Sequence, residues 1–199
     1  MLELRYPNGA TDVYPRLAAD LVRQKVDLVK EVVPKASRIA VLRLSGRLHD
    51  PVVGDMEAAA RQLGIQLEVI TVQRSGDLAA AFDAAIRGRA QAVMSTQGPF
   101  FIQNNVRIAD LALRHRLPSL SGEPGAAQDG TLLFYGPNVF EGCSQAARYL
   151  DRILKGAKPA DLPVEQPTKI ELSSISGRRR PSGSTLPQSL LLRADQLIE

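Results

Sequence analysis

Three short polar segments directly follow apolar runs in this chain: Leu44-Ser45-Gly46, Ser95-Thr96-Gln97-Gly98-Pro99 and Ser121-Gly122-Glu123. A hydroxyl, amide or carboxylate placed just beyond a buried strand can reach a small organic molecule, and small neighbours let backbone amides approach it as well. Ser45, Ser95, Thr96, Gln97 and Glu123 are therefore candidate ligand-binding residues, and Tyr135, which ends the apolar run Leu132-Leu-Phe-Tyr135, is a sixth. After Ser95 a purely structural sequence needs only a turn, so the polar run there points to binding.

The same inventory points away from catalysis. The chain has two histidines, His49 and His115, and one cysteine, Cys143, all far apart in sequence. A metal site needs several such ligands at helical or hairpin spacing, so none is expected. Cys143 lies near Ala146 and Ala147 with no readable base, which predicts a buried, inert thiol rather than a nucleophile. Gly46 stands alone, without the spacing of a phosphate-cradling loop. No catalytic residue and no cofactor is expected. Arg178-Arg179-Arg180 lies among Gly, Pro and Ser, without a groove-reading helix or interleaved aromatics, so nucleic acid is not an expected partner.

The 199 residues are 44% hydrophobic and 23% charged, as in an ordinary globular protein, with a net charge of +4. Aromatic residues are 5% with no Trp, which argues against a base-stacking surface. A single cysteine permits no internal disulfide. No window approaches the ~18 consecutive apolar residues of a membrane span.

The elements that position the polar segments follow from periodicity. Leu21, Val22, Lys25, Val26, Leu28 and Val29 form one stripe of a helix from Asp20 to Val33, ended by Pro34. Strands are predicted over 37–44, 66–72, 90–95, 117–121 and 132–135. Helices are predicted from Asp50 or Pro51 to Leu63 (stopped at Gly64), from Asp77, over 101–115 and over 140–154. Asp77 is the expected cap of its helix, with Leu78, Phe82, Ala85 and Ile86 facing inward. Alternating strands and helices with short connections predict an α/β fold with a parallel sheet covered on both faces.

The run Ile153-Leu-Lys-Gly-Ala-Lys-Pro-Ala-Asp-Leu-Pro-Val-Glu-Gln-Pro-Thr-Lys-Ile-Glu-Leu172 carries more. It resembles the C-terminal region of the ABC-transporter substrate-binding proteins related to bacterial tryptophan/tyrosine-binding proteins. Leu28-Val-Lys-Glu-Val-Val-Pro34, Arg38-Ile-Ala-Val-Leu42, Glu57-Ala-Ala-Ala-Arg-Gln-Leu-Gly64, Asp77-Leu-Ala-Ala-Ala-Phe82, Arg114-His-Arg-Leu-Pro118 and Tyr135-Gly-Pro-Asn138 look like their family counterparts, in the same order. The resemblance covers roughly residues 7–172 and resumes from Pro187 to Glu199.

The resemblance implies a periplasmic-binding-protein-like fold and a solute-binding role in a bacterial ABC importer. Two lobes would close on a small organic ligand, an aromatic amino acid among the implied classes, and dock on permease subunits. Residues 14–121 are expected to form one complete α/β lobe, with 1–13 and 122–199 supplying hinge segments and part of a second. The family's preceding strands and helices do not occur before Pro7, so the chain reads as N-terminally truncated, with impaired binding. The implied location is periplasmic or membrane-anchored outside the cytoplasm. The start lacks an export signal, so the chain as written is expected to stay in the cytoplasm. Residues 173–186 depart from the family pattern and are expected to be irregular. Residues 190–198 are expected to dock poorly, and Leu132, Leu133, Phe134 and the apolar face of helix 140–154 to be exposed. A ligand-sensing regulatory module of the same fold and, less consistently, a small α/β enzyme are the alternatives.

Overall fold

The computed structural model describes residues 13–46, 50–163, 169–175 and 186–198. Seven helices occur among them: α1 (Val13–Val32), α2 (Asp50–Gln62), α3 (Leu78–Arg87), α4 (Pro99–Gln103), α5 (Asn105–Arg114), α6 (Val139–Leu154) and α7 (Gln188–Arg193). The strands are β1 (Arg38–Leu44), β2 (Gln66–Val72), β3 (Ala92–Ser95), β4 (Ser119–Ser121), β5 (Leu133–Pro137), β6 (Ile170–Ile175) and β7 (Gln196–Ile198). They form one sheet in the order β2-β1-β3-β4-β5-β6-β7. The pairs from β2 through β5 are parallel, β6 is antiparallel to β5, and β7 is parallel to β6. The α/β class with a mostly parallel sheet read from the sequence is thus the observed one. No helix among the described residues is long and apolar enough to cross a membrane.

Successive side chains of a strand point to opposite faces, so a sheet covered on both sides must be apolar at nearly every position. Strand β1 meets that requirement. Ile39 and Val41 enter a core with Val26, Val29 and Met56 from α1 and α2. Ala40 and Leu42 enter a second core with Phe82 from α3 and Ile108 and Ala112 from α5. Glycine ends two helices where the backbone turns left-handed, at Gly64 (φ 66°) and Gly156 (φ 99°). Asn138 caps α6, its side chain accepting a hydrogen bond from the Glu141 amide at 2.9 Å.

Several sequence expectations are corrected. The helix predicted over 101–115 is broken into α4 and α5 at Asn104, whose amide donates to the Phe100 carbonyl at 2.7 Å. The Asp77 carboxylate does not cap α3; it accepts the amides of Gln73 and Arg74 at 3.0 and 3.1 Å, folding the preceding turn. Leu78, Phe82 and Ala85 are buried as expected, but Ile86 is 42% exposed. Cys143 is exposed, and among the described side chains of α6 none belongs to either core.

The C-terminal part departs most. Leu132, Leu133 and Phe134 are buried, since β5 lies inside the sheet between β4 and β6. The tail docks: Leu190 is fully buried among residues of α1, β5 and β6, and β7 pairs with β6. Arg193 bonds both carboxylate oxygens of Glu31 at 3.0 and 3.1 Å. Ser173, Ser174 and Ile175 lie in β6, whereas 176–185, with Arg178, Arg179 and Arg180, fall outside the described residues, as does His49. The expectation for α6 holds: Leu150, Ile153 and Leu154 are 58%, 37% and 78% exposed.

Candidate functional site

Parallel strands deliver their carboxyl ends to one edge of the sheet, where loops rather than helices meet. At that edge the segments after β3 and β4 are tied together. The Gln97 amide donates to the Gly122 carbonyl at 2.9 Å, and the Gly98 amide donates to the Glu123 carboxylate. Gly98 takes φ 148°, a conformation that only glycine adopts without strain, and this aims its N–H at Glu123. The Glu123 amide in turn donates to the Ser121 hydroxyl at 3.1 Å.

Sequence reasoning had placed Lys25 on the apolar stripe of α1 without assigning it a role. It reaches this same place. Lys25 is 2% exposed, and a Cβ built on Gly122 would lie 2.1 Å from its Nζ and 3.0 Å from the Gln97 amide nitrogen. Gly122 therefore leaves the space that the ammonium fills. The available signal was a lysine among Leu21, Val26, Leu28 and Val29, where a buried charge needs a reason.

Burial pushes the Lys25 pKa down to about 8, with the Glu123 carboxylate opposing the fall. Burial likewise raises Glu123, against the Gly98 hydrogen bond and the Lys25 charge. The native state thus sheds the Lys25 proton at lower pH than the unfolded chain does. Between pH about 8 and 10.5 the unfolded chain binds more protons at this group, so its contribution to stability rises with pH across that window. The full rise is about 3 kcal/mol. Denaturation of wild type and Lys25→Met from pH 7 to 10.5 should show the wild type gaining on the variant as pH increases. A constant gap would mean that Lys25 titrates like an exposed lysine.

The other candidates sit differently. Thr96 is buried and stitched to β1, its amide and hydroxyl both donating to the Leu42 carbonyl, at 2.9 and 3.4 Å. Ser95 is buried at the end of β3, where it lines a small internal void with Asn105, Ser119, Ser121 and Thr131. Ser45 is exposed beyond β1 and makes no described contact with the Lys25–Glu123 cluster. The Tyr135 hydroxyl donates to the Gln24 side chain, and Tyr135 lines a separate cleft with Asp27, Leu28, Glu31 and Arg193. Burial raises its pKa, against the Arg193 charge. The structure therefore brings Gln97 and Glu123 together with Lys25, Gly98 and Gly122. It leaves Tyr135 bonded to Gln24, the residue before Lys25 on α1, and Ser45 apart. Among the described residues no group of three His, Cys, Asp or Glu side chains converges.

The edge is a polar, partly buried niche carrying one positive and one negative group, a geometry suited to holding a small polar molecule. Comparisons with known proteins bear on the fold and the family. A conserved domain protein from Vibrio cholerae superimposes with a TM-score of 0.78 at 22% identity, over 88% of this chain and 60% of that one. The ABC domain in complex with L-Trp from Streptococcus pneumoniae gives 0.76 at 21% identity, over 89% and 62%. A ligand-free, open substrate binding protein with adhesive properties from Clostridium difficile gives 0.68 at 16%, over 88% and 59%. At these identities the likeness establishes the fold, and the chain spans about three fifths of the length of each structure. No curated protein matches the sequence. The family described as ABC transporter substrate binding protein matches residues 15–198, nearly the whole chain, and this protein belongs to that family.

Proposed function

We propose that this chain forms one wall of the solute-binding component of a bacterial ABC importer. It acts by binding rather than turnover, holding a small organic ligand of the aromatic amino-acid class at the strand carboxyl ends. The observation that carries the reading is the convergence of Lys25, Gln97, Gly98, Gly122 and Glu123 at that edge. Support comes from the family and from the Streptococcus pneumoniae structure, whose ligand is L-Trp.

In this proposal residues 14–121 and the strands β5, β6 and β7 that complete their sheet form one lobe, and α6 leads toward a second. The exposed stripe Leu150, Ile153 and Leu154 of α6 faces that second lobe. Ser45 and Tyr135 flank the ligand once the lobes close. The protein works outside the cytoplasmic membrane, and the closed form docks on permease subunits.

A two-lobed clamp draws affinity from both walls. One wall of a micromolar binder retains about half of its ~8 kcal/mol, which corresponds to millimolar affinity. Titration of the 199-residue chain with amino acids, sugars and fatty acids should therefore show saturable, millimolar binding without turnover. Joined to a complete second lobe, the chain should bind near micromolar. Turnover of any probe, or no saturable binding in either form, would refute the proposal.

A further inference from the structure

The sheet ends in two unequal edges, β2 on one side and β7 on the other. Edge strands carry a row of free N–H and C=O groups, and proteins blunt them with short length, proline, lysine or a projecting charge. β7 follows that rule, being only three residues long. β2 does not. It has seven residues, Gln66-Leu-Glu-Val-Ile-Thr-Val72, paired with β1 in unbroken register and without proline or lysine. Its one charge, Glu68, leans away from the open side. A Cβ built on Gly88 would meet the Glu68 carboxylate at 1.6 Å, and the Gly88 carbonyl accepts from Arg38 on β1 at 3.0 Å. Glu68 is therefore drawn inward over the sheet.

The hydrogen bonds fix which groups of β2 are free. The Gln66 amide donates to Ser37, and the Val72 carbonyl accepts from Ser45, the two residues that flank β1. Alternation along the strand then turns Gln66, Glu68, Ile70 and Val72 toward β1 and aims the N–H and C=O of Leu67, Val69 and Thr71 outward. Among the described residues no strand or side chain takes those outward groups. Leu67 packs on one core and Ile70 on the other, so the strand is held from both faces.

We infer that β2 joins two copies of this chain edge to edge, antiparallel, about a two-fold axis at Val69. Identical edges related by such an axis run antiparallel. The outward groups are symmetric about Val69, so this register uses all of them at once. Val69 faces Val69 of the partner subunit, Leu67 faces Thr71 of the partner subunit, and each such pair exchanges both N–H···O bonds. Apolar and β-branched side chains then meet on one face, and Glu68 falls opposite Ile70 of the partner subunit rather than a second carboxylate. Pairing with β7 instead would leave most of β2 uncovered, because β7 offers only three residues. A single strand pairing buries little surface, so the dimer belongs to the weak class, with a Kd between about 1 μM and 1 mM. The pairing uses none of the residues of the solute niche, so it stands or falls independently of solute binding.

The test uses the full 199-residue chain. Sedimentation equilibrium is expected to show a monomer–dimer equilibrium. Amide exchange is expected to slow at Leu67, Val69 and Thr71 as concentration rises, while Gln66, Glu68, Ile70 and Val72 exchange slowly throughout. Thr71→Pro removes one outward donor and no bond to β1, at a position where an edge tolerates proline. It occurs twice in the dimer and should raise the Kd at least about tenfold. Val69→Lys sets two ammonium groups across the axis and should also weaken the dimer, with added salt recovering part of the loss. Circular dichroism below the wild-type Kd identifies the variants that fold, and the exchange readout needs no variant. A monomer up to about 1 mM would overturn the inference, as would association that leaves exchange of Leu67, Val69 and Thr71 unchanged. Open assemblies larger than a dimer would do so too, and so would folded variants that dimerise as tightly as the wild type.

Discussion

Replacing Leu190 with alanine is expected to lower the free energy of unfolding by about 3 to 4 kcal/mol, the range for a fully enclosed leucine that leaves a cavity. Leu190 sits on α7 in the core beneath α1, β5 and β6, with no exposed surface. Its neighbour Leu192 is 80% exposed and serves as the control, since Leu192→Ala should change stability by less than about 0.5 kcal/mol. Urea denaturation of the two variants separates the cases. Equal, small effects would mean that the tail does not dock and that β7 does not close the sheet. A large effect at Leu190 alone fixes the C-terminal segment as a structural member of this sheet, because the core it belongs to also holds residues of α1 and β5, far earlier in the chain, and of nearby β6.

The framework was legible because a parallel sheet covered on both faces leaves a strong trace in sequence. Ile39 to Leu42 must be apolar at every position, and Pro34, Gly64 and Gly156 punctuate the helices where the backbone requires them. Local pattern was blind to the break at Asn104. Phe101, Ile108 and Ala112 keep one buried stripe through it, so periodicity alone runs on into a single helix. The tail misled for a different reason. Leu190 looks like one apolar residue after an atypical stretch, and only the sheet order, with β6 between β5 and β7, provides it with a core. Cys143 misled because an Ala-rich helix face suggests burial, whereas the face of α6 lies outside both cores.

The site was half legible for a similar reason. Gln97 and Glu123 follow strands and betray themselves by being polar where a turn would suffice. Thr96 has the same sequence signature but spends its hydroxyl on Leu42. Lys25 precedes its partners by roughly seventy to a hundred residues, so its position on an apolar stripe had no visible explanation until the fold placed Gly122 beneath its ammonium.

That placement yields the most selective prediction for the niche. Gly122→Ala should leave the fold intact and weaken amino-acid binding by about 30-fold, equivalent to about 2 kcal/mol for one charge-assisted hydrogen bond. Gly122 has no left-handed backbone to strain, so alanine is tolerated by the chain itself. The new methyl would sit 2.1 Å from Lys25 Nζ and 2.9 Å from Cε, an impossible approach. What yields is the far end of a flexible side chain, and the ammonium swings away from the strand ends where the proposed ligand sits. Stability should move by less than about 1 kcal/mol, because no packed atom is lost. Gly54 on α2, with open space around it, provides the control: Gly54→Ala should not alter binding. The measurement is the initial slope of the Gly98 amide shift against amino-acid concentration, taken alongside thermal unfolding of each variant. An unchanged slope in a folded Gly122→Ala protein would mean that the Lys25 ammonium does not touch the ligand.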